Sequence, residues 1–309
     1  MKLGLTHVVD PRLNALVAES RTFYAHRGAG RGPDSLEELR ALRARTPTPP
    51  ASALTTTEDV EHVPGRRTSV RVHRPATGPV TGVHLHLHGG GFYLGPTARD
   101  DARNRASADD SGVVVVDVDY RLAPEHPWPA ALEDCEAAAL WLVEHAAERF
   151  GASTLTIGGS SAGATLALGV LLRLRDQGVT AFTGAVLEFG TYDLGGDTPA
   201  GRRIAGEYFL QAYAGGVADR TDPDLSPIYA DVTGLPPVLV VVGADDILLE
   251  DNVAMAARLA VAGVDVDLRV YPASPHGFTG HATAMAQAAR EDVREWLAEH
   301  RGPPSAPAG

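Results

Sequence analysis

The chain has 309 residues, 44% of them hydrophobic and 21% charged, which is ample material for a large buried core. Its formal charge of −12, from 39 acidic against 27 basic residues, argues against a nucleic-acid backbone or an anionic membrane as partner. A single cysteine, Cys135, excludes an internal disulfide framework and a Cys-rich metal site.

The first residues, Met1-Lys2-Leu3-Gly4-Leu5-Thr6-His7, lack an apolar core and a cleavage site, so no secretory signal is expected. No stretch reaches membrane-spanning length, and a cytoplasmic location fits the cysteine usage. Residues 1–45 read as mostly helical, with Leu13, Leu16 and Val17 and then Leu36, Leu39 and Leu42 at helical spacing. Asp34-x-x-Glu37 or Ser35-x-x-Glu38 can cap the second helix. Thr46-Pro47-Thr48-Pro49-Pro50 stops it, and the polar run up to Asp59 reads as a linker.

From Ser69 the pattern becomes strands alternating with helices. Val70-Arg71-Val72-His73 is a short strand, and residues 82–88 form the next, with Val83, Leu85 and Leu87 on one face and His84, His86 and His88 on the other. The His-x-His-x-His alternation invites a metal reading. No acidic partner lies nearby in sequence, so these side chains are better read as partly buried polar residues, and no metal is expected. Residues 97–111 form a polar helix ending at Gly112, and 113–118 a buried strand. A proline-punctuated loop, 120–129, leads through Pro129 into a helix carrying Leu132, Leu140 and Leu142. Further strands are expected at 154–157, 184–189, 238–242 and 264–271. Helices are expected at 166–174, 251–262 and 279–300. Residues 194–225 interrupt the alternation, with Tyr208, Phe209 and Tyr213 in a helical stretch; a segment this long inside a compact domain usually has a job. The tail 302–309 should be disordered.

Such an order argues for a mostly parallel sheet covered on both faces, with reactive loops gathered at the carboxyl ends of the strands. Three of those loops carry chemistry. Gly159-Ser160-Ser161-Ala162-Gly163 stands where a strand turns into a helix. It fits either a packing turn or a nucleophile elbow, and only Ser161 has glycine two residues before and two after. His88-Gly89-Gly90-Gly91 ends a strand with three residues lacking a Cβ, as a flexible turn or as backbone donors for a developing negative charge. A serine hydroxyl needs a base, and the base needs a carboxylate to orient it. His276 follows the last strand and the pair Asp245-Asp246 the strand before it, giving the chain order Ser, Asp, His.

These stretches, with Tyr120-Arg121-Leu122-Ala123-Pro124-Glu125, Leu225-Ser226-Pro227, Gly234-Leu235-Pro236-Pro237 and His276-Gly277-Phe278, resemble the hormone-sensitive-lipase-like family of bacterial α/β-hydrolase esterases over residues 70–300. The resemblance implies an α/β-hydrolase fold: a mostly parallel central sheet, helices on both faces and a helical cap. It implies cap helices and linker at 1–59, a catalytic domain at 60–301 and a cap insertion at about 194–225. It also implies Ser161 as nucleophile, Asp246 as orienting acid, His276 as base, and the N–H groups of Gly90, Gly91 and Ala162 as an oxyanion hole. No cofactor is implied. The implied substrate is a small to medium acyl ester, and the last strand and final helix form a common homodimer edge in the family. The chain departs from the family in carrying Ser160 where Asp often precedes the nucleophile. The acid motif is doubled, and Asp246 is preferred because Leu248 then matches an apolar position of the family. Amide or lactone hydrolysis, acyl transfer, elimination and non-catalytic binding of a small molecule are the alternatives on the same fold.

Overall fold

The computed structural model describes residues 8–27, 32–46 and 52–300. Eight strands form one sheet in the order β1-β2-β4-β3-β5-β6-β7-β8. They are β1 (Thr55–Val63), β2 (Arg66–His73), β3 (Gly82–Leu87), β4 (Val113–Asp119), β5 (Leu155–Ser160), β6 (Phe182–Glu188), β7 (Val238–Gly243) and β8 (Val266–Tyr271). The β1–β2 and β2–β4 pairs are antiparallel and every later pair is parallel. Among the described residues there are nine α-helices: α1 (Val17–Ala25), α2 (Leu36–Arg45), α3 (Ala98–Ser111), α4 (Ala130–Phe150), α5 (Ala162–Asp176), α6 (Pro199–Ile204), α7 (Tyr208–Ala214), α8 (Leu249–Val261) and α9 (Ala284–His300).

Helices α4, α5 and α8 cover one face of the sheet, and α3 and α9 the other. The parallel crossovers require this, because each connecting helix must return over the sheet and bury its apolar stripe there. The larger core lies on the α4–α5 side, where Leu85, Leu87, Val114, Val116, Leu142, Ile157 and Leu168 are fully buried or nearly so. A second core, around Val241, Tyr271, Met285 and Trp296, lies under α9.

The alternation in β3 has a consequence on the α3 side. His84 pairs in register with Val115 and Thr156, and His86 with Asp117 and Gly158, so one buried layer carries imidazoles and a carboxyl group. His84 is bonded through Nδ1 to Thr156 Oγ1 at 2.9 Å, and Arg103 of α3 donates to His86 Nε2 at 3.1 Å. These side chains are wholly buried, not partly. Burial pushes His84 down to about 4 and His86 well below the ordinary imidazole range. Both are therefore neutral at pH 7. Among the described residues no group of His, Cys, Asp and Glu is arranged to hold a metal ion.

Three further sequence expectations change. The polar run to Asp59 is not all linker, because β1 starts at Thr55 and pairs along β2 through a tight turn at Gly65. The final helix begins at Ala284, five residues later than expected; a short 3₁₀ turn, Phe278–Gly280, precedes it, and Thr283 Oγ1 accepts the Ala286 N–H. The N-terminal helical segment splits into a 3₁₀ turn, Pro11–Leu16, and α1. Ser35 does cap α2: its hydroxyl accepts from the Glu38 N–H while the Glu38 carboxylate accepts from the Asp34 N–H. The proline run 47–50 and the tail 302–309 lie outside the described residues.

Candidate active site

Strand β5 ends in Gly159-Ser160, and α5 starts at Ala162, so Ser161 alone makes the turn. Its backbone sits at φ 54°, ψ −120°, a conformation that costs an L-residue on the order of 1–3 kcal/mol. The surroundings hold it there. Ser161 N–H donates to Glu188 O at 2.8 Å, and α5 packs straight onto the end of β3. A Cβ on Gly163 would lie 1.9 Å from Leu87 O and 2.7 Å from His88 O, so only glycine permits that approach. The same approach sets the glycine loop against the elbow, since a Cβ on Gly89 would lie 2.9 Å from Ser160 O.

Two further loops converge from β7 and β8. They meet backbone to backbone, with Asp245 N–H donating to Ser274 O and a Cβ on Gly243 falling 1.9 Å from that same oxygen. Asp246 turns inward to full side-chain burial, and its carboxylate accepts from the Leu248 N–H at 2.8 Å and from His276 Nδ1 at 3.1 Å to each oxygen. Asp245 is exposed to solvent. The imidazole is 37% exposed, and its other nitrogen, Nε2, lies 3.0 Å from Ser161 Oγ. Ser161, His276 and Asp246 thus form one continuous hydrogen-bonded chain. Phe189, at φ 41° beyond β6, sets its ring edge-on to His276 with centroids 5.1 Å apart.

The glycine loop is braced peptide by peptide. Gly90 and Gly91 have φ of 115° and 59°, the left-handed side where a Cβ is strained. His88 Nδ1–H donates to Gly89 O at 2.8 Å, and the N–H groups of Tyr93 and Leu94 both donate to Gly90 O. A trans peptide points its N–H opposite its C=O. Fixing these two carbonyls therefore fixes the directions of the Gly90 and Gly91 N–H groups. His88 is itself clamped: Tyr120 stacks on its ring with centroids 4.1 Å apart and donates its hydroxyl to His88 O at 2.8 Å. Ala162 supplies a third N–H from the first turn of α5, where backbone donors have no partner within the helix. All six residues singled out in the sequence come from loops at one end of the sheet. The bracing roles of His88 and Tyr120 are not apparent from sequence, although both residues stand in stretches that carry the family resemblance.

A family profile described as alpha/beta hydrolase fold matches residues 84–280. The chain belongs to the α/β-hydrolase family. It is 32% identical over 293 residues to a carboxylic ester hydrolase, LipN, of Mycobacterium tuberculosis, covering 88% of this chain and 77% of that one. It is 33% identical over 240 residues to an ethyl acetate hydrolase of Pseudomonas putida, covering 72% of this chain and 75% of that one. Among solved structures, an esterase from the bacterial hormone-sensitive lipase family superposes with a TM-score of 0.73 at 28% identity, over 95% of this chain and 99% of that one. The chain is a hormone-sensitive-lipase-like member of the family, as its His-Gly-Gly-Gly loop and serine elbow indicated.

Proposed function

We propose that the chain hydrolyses carboxylic esters of small to medium acyl groups through an acyl-enzyme on Ser161. The observation that carries this reading is the unbroken hydrogen-bonded chain from Asp246 through His276 to Ser161 at a strained elbow. His276 Nε2 takes the hydroxyl proton as Oγ attacks the ester carbonyl carbon. The Asp246 carboxylate holds Nδ1–H and stabilises the imidazolium that forms. The carbonyl oxygen becomes an oxyanion within reach of the Gly90, Gly91 and Ala162 N–H groups, and in a water-poor site such donors are worth about 10²–10³ in rate each. His276 then protonates the leaving alcohol, and water repeats the sequence to release the acid and restore the serine. No step draws on a cofactor.

The substrate size rests on the aromatic wall over the glycine loop. Tyr93, Tyr208 and Phe209 cluster there, and a Cβ on Gly91 would lie 3.1 Å from Phe209 Cβ. On this reading α1, α2 and the 194–225 segment, with α6 and α7, form the cap over a catalytic domain that starts at Thr55 with β1, not at residue 60. Among the described residues no helix is long and apolar enough to cross a membrane. A cytoplasmic location, supported by the one buried free thiol of Cys135, and a homodimer through β8 and α9 complete the proposal. Ser161→Ala should lose essentially all turnover of a short-chain aryl ester at an unchanged unfolding temperature. Near-normal turnover in that variant would show that another group attacks.

A further inference from the structure

We propose that Arg43, on N-terminal helix α2, is a positioning residue that holds the glycine loop in its working geometry. The inference rests on the oxyanion-hole reading given above. Arg43 reaches from α2 into the gap between the glycine loop and the 120–129 loop. Its Nε and Nη2 donate to Tyr93 O at 2.9 and 2.7 Å. Nη2 also donates to Ala123 O at 2.6 Å, and Nη1 to both Glu125 oxygens at 3.0 and 2.9 Å. One planar guanidinium therefore joins three groups on two loops, which its rigid fork of donors suits and an ammonium does not.

The position of that grip matters more than its strength. Tyr93 O and the Leu94 N–H belong to one peptide; that N–H donates to Gly90 O at 2.9 Å, and the direction of Gly90 O sets the direction of the Gly91 N–H. Ala123 N–H in turn donates to Phe92 O, so the outer half of the glycine loop is tied to residue 123 at two successive carbonyls, directly at Phe92 and through Arg43 at Tyr93. Released from Arg43, the Tyr93–Leu94 peptide can rotate, and the Leu94 N–H that aims Gly90 O rotates with it. Burial would raise the Glu125 carboxyl, yet the Arg43 hydrogen bond and charge hold it below the ordinary carboxylate value. The hydrogen bonds of Arg43 go to Tyr93, Ala123 and Glu125 and not to Ser161, Asp246 or His276, so its effect passes through the loop.

The test uses the full chain carrying Arg43→Ala, Arg43→Lys or Glu125→Gln, with kcat and KM for a short-chain aryl ester normalised to the fraction of Ser161 labelled by a fluorophosphonate. Both Arg43 variants should lose kcat by roughly 10- to 100-fold with KM little changed, since a misplacement of about 1 Å costs on the order of 10²-fold. Millimolar guanidinium ion should restore part of the loss in Arg43→Ala and none in wild type. Glu125→Gln leaves both carbonyl contacts in place and should keep kcat within about threefold of wild type. If Arg43→Ala does not fold, Arg43→Lys decides, because it keeps the charge but cannot serve both loops. A kcat per labelled serine within about twofold of wild type in Arg43→Lys would overturn the proposal. So would a loss in Arg43→Ala that is fully explained by fewer labelled sites. Turnover that survives Ser161→Ala would sink the triad reading itself, whereas Ser161-dependent turnover indifferent to Arg43 would sink only the positioning role.

Discussion

Acid should unfold this protein through the imidazole layer under α3, and His84 gives the effect a magnitude. Its ring is buried against the Gly158 backbone and bonded to Thr156 Oγ1, and burial lowers it from 6.5 to about 4. Between those two values the unfolded chain binds a proton that the folded chain refuses, so stability rises with pH across this window and is complete above it. On acidification the same contribution is lost. At about 1.4 kcal/mol per pH unit, His84 alone should remove about 2 kcal/mol between roughly pH 8 and pH 5, and about 3 kcal/mol by roughly pH 4. Against a total of about 5–15 kcal/mol that is a large fraction. His84→Gln can keep a hydrogen bond to Thr156 but cannot bind the proton. Urea unfolding followed by circular dichroism at stepped pH should therefore show a loss between pH 8 and 5 that is smaller by about 2 kcal/mol in the variant. Equal losses in the two proteins would mean that His84 is not the buried, proton-refusing group described.

Two further substitutions test the site's frame. Asp246→Asn keeps the bond to the Leu248 N–H but cannot stabilise an imidazolium, and it should lower kcat by about 10⁴-fold with the unfolding temperature little changed; a loss under about tenfold would shift the role to another carboxylate. Gly163→Ala places a Cβ against backbone atoms of Leu87 and His88, none of which can yield as a side-chain tip would. It should cost about 3 kcal/mol or more in urea unfolding and abolish turnover, and a variant with wild-type stability and rate would disprove the close approach of elbow and strand.

The readable parts of this chain are those where geometry admits few residue types. Gly159, Gly163, Gly90 and Gly91 stand where backbone meets backbone or φ is positive, so the elbow and the glycine loop are written in glycines. The central strands β4 and β7 are buried on both faces and read as apolar runs. Strand β1 has no such run: it is an edge strand in which Thr55 and Val60 alone are buried, so its pattern looks like a polar linker. The choice of Asp246 over Asp245 rested on the position of Leu248, which proves to be buried and to donate its N–H to the Asp246 carboxylate. Arg43 left no trace because two of its three partners are main-chain carbonyls, which any residue can supply. The late start of α9 was legible in principle, since Thr283 is a good cap before an alanine-rich run.

Ester cleavage through Ser161 requires a covalent acyl group on its Oγ. Rapid quenching of the protein during turnover of an aryl acetate, followed by peptide mass spectrometry, reads this directly. An acetyl group should appear on the peptide containing Ser161, formed in step with the burst of released phenol and absent in Ser161→Ala. Turnover with no acylated serine, or with the acetyl group on another residue, would contradict it.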